Sequence, residues 1–221
     1  MYLYFCVNFF IGTCLASHAC LIYDRFDSGN FIFSRSKCCT CNYEINILDE
    51  IPIFSYLLLK GKCRYCHANI PYQLPIFEFL GGIALINNDF NSKPGILNAI
   101  FIFFFLLISI FDYYDGEFLT ILLIPLLLVL PFKSVNLFSI VEAFPIILLL
   151  SYYSFKNKLG SGDLILYLFI CLYLNVQQAN IMLLVACLLT ILHYFSSKNF
   201  SQKQIHFLPY LFLSFALVSI L

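Results

Sequence analysis

Four cysteines and a set of acids at the ends of apolar runs hold most of the chemistry this sequence could perform. Cys38-Cys39-Thr40-Cys41 and Cys63-Arg64-Tyr65-Cys66 are two C-x-x-C hooks. Each hook can turn two thiolates toward one ion, and four thiolates complete a closed tetrahedral zinc site. A closed site has no open position for water, so its work is to tie the chain together rather than to hydrolyse anything. The expected ligands are Cys38, Cys41, Cys63 and Cys66, and the expected cofactor is a structural zinc ion. Redox pairs and unliganded thiols are the competing readings, and a reducing cytoplasmic face makes stable disulfides a poor fit. Cys6, Cys14, Cys20, Cys39, Cys171 and Cys187 lie in apolar stretches or outside any regular spacing and read as packing residues. His67, directly after Cys66, reads as a loop histidine.

Carboxylates are costly near a bilayer core, so acids next to long apolar runs raise a functional question. Here they are Glu78, Asp112, Asp115, Glu117, Glu142 and Asp163. Asp112 ends the run ILNAIFIFFFLLISIF, and Asp163 sits in Gly160-Ser161-Gly162-Asp163 just before LILYLFICLYL. The two glycines let the backbone bend or approach a neighbour closely enough to aim Asp163 inward. Two carboxylates that meet in a semi-dry pocket share a proton, and one can then activate water while the other protonates a carbonyl oxygen. The plainer readings are an exposed helix-end acid at Asp112 and a helix cap at Asp163. Spacing alone leaves Asp112, Asp115 and Glu117 all open as the partner of Asp163. Glu78 reads as a bundle-facing residue with a polar partner, and Glu142 as a solvated or lipid-boundary acid.

The elements that must position these groups are membrane helices. Of 221 residues, 62% are hydrophobic and 11% charged, more apolar surface than one soluble core can hide. Apolar runs predict eight spans near 3–23, 74–88, 96–111, 118–132, 137–155, 164–174, 180–195 and 205–221, with 74–88 and 164–174 short for a full crossing. Met1 to Tyr23 lacks a basic start and a small-residue cleavage site, so it reads as a retained first helix. Arg25, Arg35, Lys37, Lys60, Lys62 and Arg64 gather in one loop, with Lys156, Lys158, Lys198 and Lys203 on the same side, against Lys93 and Lys133 opposite. That bias predicts a cytoplasmic loop and an outside N-terminus. The expected organisation is a first transmembrane helix over 1–23, a cytoplasmic zinc-binding loop over 24–73 and a catalytic bundle over 74–221. Ile51 to Leu59 is too short to span and reads as an interfacial or buried element of the loop. The sequence shows no fixed-period repeat, and its zero net charge gives no reason to expect nucleic acid.

Together these residues resemble the type IV prepilin leader peptidases, including the smaller competence-pseudopilus type. Gly12-Thr13-Cys14-Leu15 leading to Asp24-Arg25-Phe26 resembles that family's first helix and basic turn. The most specific stretch joins both hooks to Asp49-Glu50-Ile51-Pro52, Ser55-Tyr56-Leu57 and Gly61-Lys62-Cys63. Phe111-Asp112 followed by Ile124-Pro125-Leu126-Leu127 resembles the first catalytic aspartate region, and Gly160-Ser161-Gly162-Asp163 the G-x-G-D motif. Glu78 and the stretch His206-Phe207-Leu208-Pro209 also have family counterparts. The resemblance selects Asp112 over Asp115 and implies an intramembrane aspartyl peptidase with Asp112 and Asp163 as its pair, in a bacterial cell membrane. It implies pilin-like precursors as substrates, with a short basic leader, a glycine at the cut and an apolar helix after it. N-methylation with S-adenosylmethionine is implied for many relatives, but no separate sequence signal marks that cofactor here. Leu119 stands where a proline is usual, Ile165 where a lysine often follows G-x-G-D, and His206 and Leu208 replace Pro and Gly. A proton- or cation-coupled transporter and a non-catalytic membrane scaffold are the rival functional classes.

Overall fold

The computed structural model describes residues 2–26, 35–116, 120–132, 138–156, 158–196 and 206–219. Glu117, Leu119, Lys133, Lys198 and Lys203 lie outside the described residues. Nine α-helices are formed among the described residues, with no strand beyond two isolated bridges. They are α1 (Tyr2–Asp24), α2 (Phe54–Leu58), α3 (Gln73–Leu85), α4 (Lys93–Asp115), α5 (Leu123–Val129), α6 (Phe138–Phe155), α7 (Ser161–Tyr173), α8 (Val176–Ser196) and α9 (Leu208–Val218).

The all-helical expectation holds, but the count of eight crossings is not established. An apolar helix stands at each expected place, yet among the described residues only α1, α4 and α8 are long and apolar enough to cross a membrane by length and composition. Helices α3 and α7 have 13 residues each, a rise of about 20 Å against a hydrocarbon core of about 30 Å. Residues 51–59 form a tight turn followed by the five-residue α2, too short to span.

Two compact units divide the chain, Met1–Asn88 and Asp89–Ser219. In the first, α1 and α3 pack backbone to backbone, so α3 belongs with the first helix by its contacts. The reason is a glycine seam. A Cβ at Gly12 would meet Gly81 O at 2.5 Å and Gly82 Cα at 2.8 Å, and a Cβ at Gly82 would meet the Phe9 ring at 2.6 Å. Small residues allow such close approach where lipid gives helices no hydrophobic reason to associate. Buried Asn8 then donates to the carbonyls of Ile86 (3.1 Å) and Asn88 (2.7 Å), and Tyr4 Oη donates to Asn88 O at 2.7 Å. Side chains of α1 thus satisfy backbone oxygens left open where α3 ends.

In the second unit, Ser92 caps α4 by accepting the Gly95 N–H, and Gly116 ends the helix in the left-handed region at φ 68°. Helix α7 runs antiparallel to α4. Tyr173, at the end of α7, stacks on Phe101 with ring centroids 3.7 Å apart and donates to Asn98 Oδ1 at 2.7 Å, both near the start of α4. Tyr167 Oη bonds Asn180 Oδ1 at 2.5 Å and ties α7 to α8. Phe105 meets Phe212 and Phe215 edge-on, which seats α9 against α4.

The glycine seam generates a prediction. Gly12→Leu should force α1 away from α3 and cost about 1–3 kcal/mol or more, since overpacking on backbone cannot relax cheaply. Thermal unfolding in detergent should show a lowered midpoint, whereas Val7→Ala, at an exposed position of the same helix, should change it little.

Candidate functional site

The four hook cysteines converge. The Sγ atoms of Cys38, Cys41, Cys63 and Cys66 all lie within 4.8 Å of one another, and Cys38 Sγ and Cys66 Sγ are 3.7 Å apart. A tetrahedral ion with bonds of about 2.3 Å to sulfur requires sulfur separations of about 3.8 Å, so this donor set fits one.

The hooks are backbone copies of each other at an offset of 25 residues, the step from Cys38 to Cys63. Cys38 N–H donates to Tyr43 O and Asn42 N–H to Cys38 O; Cys63 N–H donates to Ala68 O and His67 N–H to Cys63 O. Flanking bridges pair Lys37 with Glu44 and Lys62 with Asn69. Asn42 (φ 55°) and His67 (φ 57°) occupy the same left-handed position. His67 therefore closes a turn, in keeping with its reading as a loop histidine. The backbone N–H groups of Cys41 and Thr40 are aimed at Cys38 Sγ and hold its thiol down to about 6, the direction that favours a thiolate ligand.

One contact joins the two hooks, and another fastens the segment between them. Tyr43 and Tyr65 lie ring against ring at 3.8 Å. Arg64 donates through Nε (2.8 Å) and Nη2 (2.6 Å) to both oxygens of Asp49. This two-pronged pair holds the Asp49 carboxyl below its usual range and fastens the DEIP segment to the second hook.

The acids of the second unit occupy helix ends. Asp112 lies in the last turn of α4 and Asp163 in the first turn of α7, both half-buried. From the Tyr173–Asn98 contact, Asp112 is fourteen residues along α4, about 21 Å, and Asp163 ten residues back along α7, about 15 Å. Antiparallel packing thus brings both to one end of the unit at an axial offset of about 6 Å. The two carboxyls are within Coulombic reach of each other.

Each acid has a local backbone partner. Asp112 Oδ2 accepts the N–H of Leu208 at 3.2 Å. The Asp163 carboxylate reaches back to the N–H of Gly160, one half of a capping box. A Cβ at residue 160 would stand 3.2 Å from Asp163 Oδ2, so glycine leaves the carboxyl room. Asp115 is exposed at the end of α4, as is Glu142 in α6.

Some functional contacts were not legible in the chain order. His206 lies against Gly116, where a Cβ would meet its Cε1 at 2.7 Å. With the Leu208 bond, this brings the 206–209 stretch onto the turn that carries Asp112. Ser109, one turn before Asp112, is fully buried, and its Oγ has no hydrogen-bond partner among the described residues. In the first unit, Glu78 is 4% exposed and accepts the N–H of Ile53 at 2.7 Å, with Ser17 hydrogen-bonded to the same carboxyl. A buried acid at the head of a span signalled a polar partner, but nothing in the sequence identified Ile53.

Residues 10–88 match the family model described as Bacterial Peptidase A24 N-terminal domain. Over 66 residues the chain is 38% identical to a prepilin leader peptidase/N-methyltransferase of Aeromonas salmonicida, covering 30% of this chain and 23% of that relative. A type 4 prepilin-like proteins leader peptide-processing enzyme of Escherichia coli is 44% identical over 52 residues, 24% of this chain and 19% of that relative. In these alignments the chain spans about a quarter or less of the relatives' length. A prepilin leader peptidase/N-methyltransferase of Vibrio cholerae is 27% identical across 75% of this chain and 72% of its own length. No solved structure matches the chain at a significant level. The resemblance to the prepilin leader peptidases drawn from the motifs therefore stands.

The hook geometry predicts that the doubly substituted Cys63→Ser, Cys66→Ser protein loses its tightly bound metal, read as metal per chain by elemental mass spectrometry, together with much of its folded yield. An unchanged metal content would refute the ligand set.

Proposed function

We propose that this chain is an intramembrane aspartyl endopeptidase that removes the leader from type IV prepilin-like precursors at the cytoplasmic face of a bacterial cell membrane. The supporting observation is the placement of two half-buried carboxyls, Asp112 and Asp163, at one end of the second unit and within Coulombic reach of each other, in a chain similar to enzymes whose names state that activity.

Two carboxylates within Coulombic reach repel when both are charged, so the pair holds one proton. The charged member takes a proton from water as the water oxygen attacks the scissile carbonyl carbon. Its partner donates its proton to the carbonyl oxygen. Collapse of the tetrahedral intermediate breaks the C–N bond: the acid that took the water's proton gives it to the leaving nitrogen, and its partner takes back the hydroxyl proton of the diol, which restores the one-proton pair. The Leu208 and Gly160 N–H groups orient one oxygen of each acid and leave the other for water and substrate. Which acid begins charged is left to the bound state, since the proton belongs to the pair.

The four-cysteine cluster would hold zinc in this reading and supply only cross-linking, with no step of hydrolysis assigned to it. The precursor is expected to have a short basic leader, a glycine at the cut and an apolar helix beyond it. N-methylation with S-adenosylmethionine enters only through the names of the relatives.

Asp112→Asn and Asp163→Asn should each lower cleavage of a prepilin by roughly 10²–10⁴-fold while leaving metal content and elution profile unchanged. Product mass reads the outcome, because cleavage and methyl addition shift it differently. Full cleavage by either variant would sink the assignment. Carboxylate-dependent ion flux without hydrolysis would favour a transporter, and precursor binding without processing a scaffold.

A further inference from the structure

The metal-binding loop carries a cluster of apolar side chains at its surface. Phe54, Leu57 and Leu58 of α2 are 60%, 66% and 80% exposed, and Ile47 and Leu48 in the turn before it are 69% and 67% exposed. Such a cluster asks for an occupant.

Its depth is set by Glu78. That residue is the sixth of α3, so it lies about 7.5 Å along an apolar helix from its start. The Ile53 N–H bonded to Glu78 holds the start of α2 at that level. The anchorage offsets a local strain. Ile53 has φ 62° and ψ −52°, and Phe54 N–H donates back to Pro52 O at 2.6 Å, a tight γ-turn of the uncommon positive-φ hand with a β-branched residue at its centre. A turn of this hand is strained for a β-branched residue, and the Glu78 carboxyl holds it by accepting the Ile53 N–H.

Charge completes the face. After α2, Lys60 (φ 52°) and Gly61 (φ 69°) both adopt left-handed conformations and turn the chain sharply. Lys60, Lys62 and Arg64, with Leu58 and His67, line an open cavity of about 380 Å³. Lys60 and Lys62 form no ion pair among the described residues. An apolar helix at the mouth of an apolar helix pair, with ammonium groups beside it, has the chemistry of an interfacial anchor on anionic lipid. A basic leader peptide would meet like charge there.

We propose that α2 and the turn over residues 60–64 form a docking face for anionic phospholipid, with Phe54, Leu57 and Leu58 in the boundary between headgroups and acyl chains and Lys60 and Lys62 against phosphate. The membrane then fixes the metal loop from outside as Glu78 fixes it from within.

The chain contains no tryptophan, so a single Leu58→Trp substitution gives an uncontaminated reporter. The variant of the whole chain is placed in mixed bilayers in which either the phosphatidylglycerol or the phosphatidylcholine has chains brominated near the headgroup, at equal fraction. The expected result is blue-shifted emission, quenched roughly twofold or more by brominated phosphatidylglycerol relative to brominated phosphatidylcholine, as expected if each lysine near the surface draws anionic lipid. Adding Lys60→Gln and Lys62→Gln should bring that ratio toward one. Equal quenching by both lipids in the unaltered-lysine protein, or water-like emission that neither lipid quenches, would overturn the proposal. So would quenching that a bound pilin-like precursor must be present to produce. Leu57→Trp, also exposed on α2, repeats the measurement if Leu58→Trp fails to fold.

Discussion

Inside a bilayer, water does not complete hydrogen bonds, and each polar group drawn into the apolar helices must find its partner in the protein. That constraint shapes both units. Asn8 and Tyr4 serve the open carbonyls at the end of α3, and Glu78 takes the N–H of Ile53. Tyr173 and Asn98 complete each other across α7 and α4, and Asp112 takes the N–H that opens α9. These bonds select the register of helices whose apolar surfaces alone would pack in many ways. The position of the two aspartates at one end follows from the Tyr173–Asn98 bond and the Phe101 stack, since sliding α7 by one turn would break both.

Each unit has its own physical logic. The first is a glycine-seamed helix pair that carries a loop in which four cysteines converge, and its span coincides closely with the matched family model at residues 10–88. The second brings carboxyls to helix ends, where backbone N–H groups are unused by the helix and can hold one oxygen of each acid. Ser109 is a polar group left unanswered in this second unit, one turn below Asp112.

The hooks were legible because cysteine spacing is itself the geometry of a metal site. The acids were legible only in part. Apolar runs showed that Asp112 and Asp163 end helices, but spacing left Asp112, Asp115 and Glu117 equivalent, because which helix-end side chain turns inward depends on packing against α7 and α9. The grouping of α3 with α1 was not legible, since Gly12, Gly81 and Gly82 reveal a seam only once paired across nearly seventy residues of chain. Crossing number stayed open for a related reason: apolar composition marks where helices form, while their ends are set by turns such as those at Gly116 and Leu174. The backbone repeat within the loop was hidden because beyond the C-x-x-C pattern the two hooks share few side chains, and hydrogen bonds from N–H to carbonyl leave little trace in sequence.

That repeat has a bearing on how the loop assembles. Each hook closes through contacts no more than a few residues apart, so each is a local fold that can form within microseconds of its own accord. Joining the two requires closing a segment of about 25 residues, an entropic cost of about 3 kcal/mol before the constant term. An ion captured first by two sulfurs of one hook can meet that cost when the other arrives, because a full thiolate set binds with about 10–16 kcal/mol. Assembly of the loop around an ion would then be a chelate effect in two steps, in which the metal would act as the second half's destination rather than as its mould.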